Sequence, residues 1–146
     1  MPIPVRRLLQ VATGTVLLAA SAGVPHATAA SAQGGSGFCG DTIAAWKGSA
    51  YTGNLKPKEG SLIKVNIVIN DKGDKAEIRV FAASWGETGV RLDTRFINEV
   101  SGENNEAKWE ISMPTCNSKG LVDNASGYMK VKKSGKEYRG KMHRGY

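Results

Sequence analysis

Leu62-Ile63-Lys64-Val65-Asn66-Ile67-Val68-Ile69-Asn70 is followed by Asp71-Lys72-Gly73-Asp74 and then by Lys75-Ala76-Glu77-Ile78-Arg79-Val80-Phe81-Ala82-Ala83. In the first run Ile63, Val65, Ile67 and Ile69 point one way while Lys64, Asn66 and Asn70 point the other. That is the two-residue period of a strand with one buried face. In the second run Ala76, Ile78, Val80 and Ala82 face in and Glu77, Arg79 and Phe81 face out. The Asp-Lys-Gly-Asp segment between them supplies turn chemistry, so the pair reads as a β-hairpin.

The same period extends outward from this hairpin. Thr42 to Tyr51 reads as a first strand anchored by Ile43 and Trp46. Ser84 to Gly89 reads as a loop presenting an exposed Trp85. Val90 to Asn98 reads as a strand with Val90, Leu92 and Phe96 inward and Arg91, Asp93 and Arg95 outward. Ser101 to Glu106 reads as a polar turn. Ala107 to Met113 buries Trp109, Ile111 and Met113, and Pro114 stops it. Leu121-Val122, Tyr128 to Lys132 and Glu137 to His143 complete the set, divided by Asn124 to Gly127 and Ser134 to Lys136. The fold class is therefore all-β, an antiparallel meander of about seven or eight strands closed into a small barrel, with a β-sandwich as the alternative. Closure removes exposed sheet edges.

Upstream, the chain has the parts of a secretory signal in order. Arg6 and Arg7 precede an apolar stretch from Leu8 to Ala22, and Ala27-Thr28-Ala29 offers a small-residue cleavage site. Residues 1–29 are expected to be a signal peptide, with cleavage after Ala29 or Ala32. Residues 30–40 form a Gly/Ser-rich lead, and 41–146 form the β domain. The expected location is secreted, extracellular or associated with the cell envelope, with no transmembrane segment in the mature chain. In that setting Cys39 and Cys116, the only cysteines of the chain, are expected to form one disulfide closing most of the domain into a loop.

The chain carries a formal charge of +7. From Met129 onward there are seven Lys or Arg and one acid, Glu137. A local positive field of this kind attracts polyanions or an anionic envelope surface, and it also serves simply as a solvated edge. The candidate binding surface consists of Trp85, Arg91, Arg95, Lys130, Lys132, Arg139 and Lys141.

Catalytic signals are sparse. After loss of His26 with the signal, His143 is the single histidine, so no multi-histidine metal site or cofactor is expected. Glu99, Glu103, Glu106 and Glu110 fall at helical spacing but read as a solvated turn. Asn70 to Glu77 is out of step for a calcium loop. A ribonuclease would need His143, a carboxylate and Arg79, Arg91 or Arg95 together. Single-strand binding would use Tyr128, Tyr138 and Tyr146 as stacking platforms.

The run Trp46-Lys47-Gly48-Ser49-Ala50-Tyr51-Thr52-Gly53 resembles the opening of small secreted actinobacterial β-barrel domains, and distantly that of lipocalin- and avidin-type barrels. That resemblance implies a barrel whose base is plugged by Trp46, and it carries over no ligand residues. The function expected is a secreted, non-enzymatic β-barrel binding protein for a protein, glycan or small apolar ligand, an inhibitor of a secreted enzyme being one version. The alternatives are a small secreted hydrolase such as a ribonuclease, or an envelope-associated polyanion-binding protein.

Overall fold

The structure, a computed structural model, describes residues 38–145, so the expected signal peptide, most of the lead and Tyr146 lie outside the described residues. A 3-10 turn at Ile43–Ala45 precedes nine strands: β1 Ser49–Pro57, β2 Ile63–Ile69, β3 Lys75–Val80, β4 Ala83–Gly89, β5 Arg91–Asp93, β6 Glu99–Glu103, β7 Ala107–Cys116, β8 Val122–Val131 and β9 Glu137–Gly145. All pairings are antiparallel, in the order β4-β3-β2-β1-β9-β8-β7-β6-β5. The all-β barrel class is as expected, although the sheet is divided into nine strands.

Only Val90 separates β4 from β5, the two ends of the strand order. One continuous run thus pairs with β3 through its first half and with β6 through its second, and the sheet is nearly closed. Side chains bridge the remaining seam. Asn104 Nδ2 donates to Trp85 O at 2.8 Å and to Glu87 O at 3.4 Å. Trp109 Nε1 donates to Thr88 Oγ1 at 3.0 Å.

The expected core faces of β2 and β3 hold: Val65, Ile67, Ile69, Ala76, Ile78 and Val80 are all buried. Trp46, Tyr51, Leu55, Ile111, Trp109, Met129 and Met142 join them, each no more than 1% exposed. These side chains pack the interior, as expected of a barrel with this few strands, where the bore is just wide enough for side chains.

Three inward-facing glycines, Gly53 on β1, Gly127 on β8 and Gly140 on β9, make room on one wall. A methyl group on Gly53 would stand 2.2 Å from Lys141 O, and one on Gly127 would stand 2.5 Å from Met142 Cγ. Without side chains there, Leu55 and Met142 can lie across the axis while β1, β9 and β8 curl tightly.

The base is closed by the segment before β1. Trp46 is fully buried and its Nε1 donates to Gly40 O at 2.8 Å. Tyr51 Oη donates to Trp46 O at 3.2 Å. Arg144 Nη1 donates to both Ala45 O and Val122 O at 3.2 Å, tying the end of β9 under the plug. Cys39 and Cys116 are bonded, with Cα atoms 5.5 Å apart.

Burial pushes the Tyr51 hydroxyl up to about 12, against the opposing pull of the Arg144 charge. The unfolded chain ionises this phenol near 10, while the folded protein keeps the proton until about 12. Rising pH therefore favours unfolding between those values. Stability is expected to be flat through neutral pH and to fall by ~2 kcal/mol from pH 10 to 12. Urea midpoints across that range should show the fall in the wild type and a shallower one in Tyr51→Phe; equal slopes would refute it.

Several sequence expectations are corrected. Thr42 to Ala45 is not strand: Gly48 adopts φ +64 and donates its N–H to Asn70 O, so β1 begins only at Ser49. Ser84 to Gly89 is strand β4, held by β3 and by the Asn104 amide, rather than a loop. The strand expected from Val90 to Asn98 ends at Asp93, where Arg95 folds back onto the Asp93 carboxylate at 2.6 Å, and Phe96 points to solvent, 94% exposed. Ser101 to Glu103 belongs to β6. Pro114 does not end β7. A register shift there turns Met113 outward at φ 51, and the strand runs on to Cys116. Asn124 to Gly127 is continuous strand within β8. Ala82 is exposed, because the hairpin turns at Phe81-Ala82.

Candidate functional site

Every second residue of β1, β2, β3 and β9 faces out, and neighbouring strands bring these residues into transverse rows. Phe81 N donates to Lys64 O at 2.9 Å, and Lys64 pairs with Asn54. The next row is Arg79, Asn66, Thr52, His143 and Asn124. Lys64, Asn54, Lys141 and His143 line one open recess of about 330 Å³. Lys64, Asn66, Arg79, Phe81 and Ala82 line a second of about 300 Å³. Lys64 belongs to both, so they form one trough across the outside of the barrel.

No carboxylate lines either recess. Lys64 and Lys141 have no ion-pair partner among the described residues. Arg79 is tied through one nitrogen to Glu77 at 2.6 Å, which leaves other guanidinium donors toward the trough. The opposite wall differs. On β5 to β7, Arg91, Asp93, Arg95, Glu99, Glu103, Lys108 and Glu110 interleave both signs around a recess of about 600 Å³. There burial, then Glu110 and Asp93, raise the Glu99 carboxyl above its usual range. Glu99, Glu103 and Glu110, read from sequence as a solvated turn, stand on strands β6 and β7.

The expected binding surface is divided by this arrangement. Lys141 lines the trough. Arg139 lies over the ring of Tyr128, 4.6 Å from its centroid, and 3.9 Å from Glu137. Lys130 is 3.9 Å from Glu137 and Lys132 is 3.6 Å from Glu103. Arg91 and Arg95 belong to the mixed-charge wall, Arg95 paired with Asp93. Trp85 is half-buried against the core on β4. The structure does not gather these residues into one patch.

The ribonuclease set is brought together only in part: Arg79 and His143 share one outward row, three strands and roughly 14 Å apart at ordinary strand spacing, with no carboxylate lining either recess. His143 on β9 hydrogen-bonds the Asn124 side chain. Arg91 on β5 is four strands away in the sheet order, roughly 19 Å at ordinary strand spacing. The tyrosine ladder is absent from the described surface: Tyr138 is buried at 9% exposure, Tyr128 has one face under Arg139 and its hydroxyl on Glu137.

Three features at one end of the trough escaped sequence reading. The β3–β4 hairpin has a two-residue turn, Phe81-Ala82, between the paired Val80 and Ala83. Both residues have positive φ, 55 and 132, where Asn-Gly is the favoured composition. Such strain costs ~1–3 kcal/mol per residue. Phe81 is left 61% exposed. Behind it, Asn66 Oδ1 is buried without a hydrogen-bond partner, a group that costs stability unless an incoming donor satisfies it. The only advance signal was the outward parity of Lys64, Asn66, Arg79 and Phe81.

A separate apolar cluster lies at the base. Asn98 Nδ2 donates to Cys39 O at 2.7 Å, placing Phe38 beside the loop of Phe96 and Ile97. Phe38 is 85% exposed and Met113, next to Ser112 paired with Glu99, is 60% exposed. Among the described residues no helix is long and apolar enough to cross a membrane. Comparison with protein-family models, with curated proteins and with solved structures finds no match.

Proposed function

We propose that this chain is an exported, non-enzymatic β-barrel that binds an anionic polymer along the outer trough of β3, β2, β1 and β9. The observation that carries the reading is the segregation of charge on the outer wall, with Lys64, Lys141 and Arg79 facing one channel that no acid lines. Low-dielectric sheet beneath them focuses that field on whatever lies in the channel. The packed interior argues against an apolar ligand inside the barrel. Export draws its support from the signal-like residues 1–29 and from the Cys39–Cys116 disulfide.

Long-chain inorganic polyphosphate is the probe. Affinity for the full-length mature protein should fall steeply with salt. The double variant Lys64→Glu/Lys141→Glu should bind about tenfold or more weakly, while Arg91→Glu on the mixed-charge wall should change little. Equal binding by both variants, or binding that survives about 1 M salt, would remove the trough from consideration.

A protein-binding role, inhibition of an exported enzyme included, is the second reading. It is favoured by the exposed Phe38, Phe96 and Met113 at the base, since exposed aromatics anchor protein contacts.

A further inference from the structure

The strained Phe81-Ala82 turn, the orphaned Asn66 Oδ1 and the recess that joins them occupy one spot, and each is unfavourable for the isolated protein. A backbone outlier and an unsatisfied buried acceptor persist when something else selects for them. Both line up with chemistry a ligand would meet. Phe81 offers a flat apolar face. The polar Asn66 side chain lines the recess beside it. Lys64 has an uncommitted charge and Arg79 has spare N–H groups.

We infer that this recess is a subsite for one acidic sugar unit, so that the polymer held by the trough is an anionic polysaccharide. The inference rests on the trough reading and adds the identity of the unit at its end. A sugar ring presents C–H groups on one face and hydroxyl donors at its rim. The C–H face covers the Phe81 ring, the rim of the sugar lies against the Asn66 side chain, and the acidic substituent lies between Lys64 and Arg79. The remaining units follow the channel past Asn54 toward Lys141, three strands from β3 in the sheet order and roughly 14 Å away. A recess of about 300 Å³ suits one such ring. Single-stranded nucleic acid is less well matched, because it needs successive stacking platforms. Among the described residues Phe81 stands alone along this trough, with Tyr128 engaged by Arg139 and Tyr138 inside the barrel.

The test uses the variant Phe81→Asn/Ala82→Gly, which installs the favoured turn sequence and is expected to raise Tm. A short oligogalacturonate, a neutral galactan of equal length, an oligothymidylate and polyphosphate are titrated into the wild type and the variant. The expected result is binding of oligogalacturonate over the neutral galactan, lost by about tenfold in the variant, while polyphosphate affinity stays within about twofold. Asn66→Leu should likewise weaken oligogalacturonate and spare polyphosphate. If polyphosphate binds through the trough but oligogalacturonate is indifferent to both variants, the sugar subsite is wrong and the trough stands. Oligothymidylate binding more tightly, with loss in the turn variant, would reassign the subsite to nucleic acid. Failure of polyphosphate to bind the wild type would overturn both.

Discussion

Gly53→Ala is expected to unfold this protein at a much lower temperature than any surface glycine substitution. Its methyl group would sit 2.2 Å from the Lys141 carbonyl oxygen and 2.6 Å from Met142 Sδ. The first of these is backbone, so no rotamer change relieves it. Strand β9 must move away from β1, which breaks the pairing Thr52 with His143 and its neighbours and displaces Met142 from the core. Overpacking of this kind costs ~3 kcal/mol or more, which for a domain of this size lowers Tm by roughly 12 °C or more. Gly89 is the control, because a methyl group there meets nothing within 4 Å. Gly89→Ala should leave Tm within about 2–4 °C of the wild type. Thermal melts followed by circular dichroism separate the two, and equal melting of both variants would show that β1 and β9 are not packed as described.

Replacing both cysteines by alanine is the second large effect. The bond joins residues 77 positions apart, and the chain-entropy relation for a loop of that length gives ~4.5 kcal/mol as an upper figure. The loss should come to ~3–4 kcal/mol in urea titrations, with a larger m-value because the released denatured chain exposes more surface. The damage should be concentrated at the base. Cys39 precedes Gly40, whose carbonyl receives the Trp46 indole, and its own carbonyl receives Asn98. Tryptophan fluorescence of the folded variant should therefore shift as Trp46 gains freedom. An unchanged urea midpoint would mean that the plug and the barrel hold without the cross-link.

Sequence periodicity was enough for β2 and β3 because each buries one face in a run of alternating residues. The disulfide was readable because Cys39 and Cys116 had no other partners. The missed elements share a cause, which is that their neighbours are distant in sequence. Strand β4 is Gly-, Ser- and Thr-rich and is made a strand by β3 and by the Asn104 side chain. Phe96 fits an alternating pattern, yet the pattern outlasts the strand, since Asp93 captures Arg95. The basic character of β9 was evident, but which cations stay unpaired depends on where Glu137 and Glu103 arrive. The Phe81-Ala82 turn could not be foreseen, because neither residue belongs at positive φ. Asn66 became notable only when its oxygen was found enclosed without a donor.

The final strand, β9, lies between β1 and β8, at the middle of the strand order. Without β9 the sheet therefore has two bare edges facing each other, no Met142 for its core and no Arg144 under its plug. Contacts spanning nearly the whole length form slowly and late. Folding of the barrel therefore waits on this one strand, and a chain that has not yet placed β9 stays pliable.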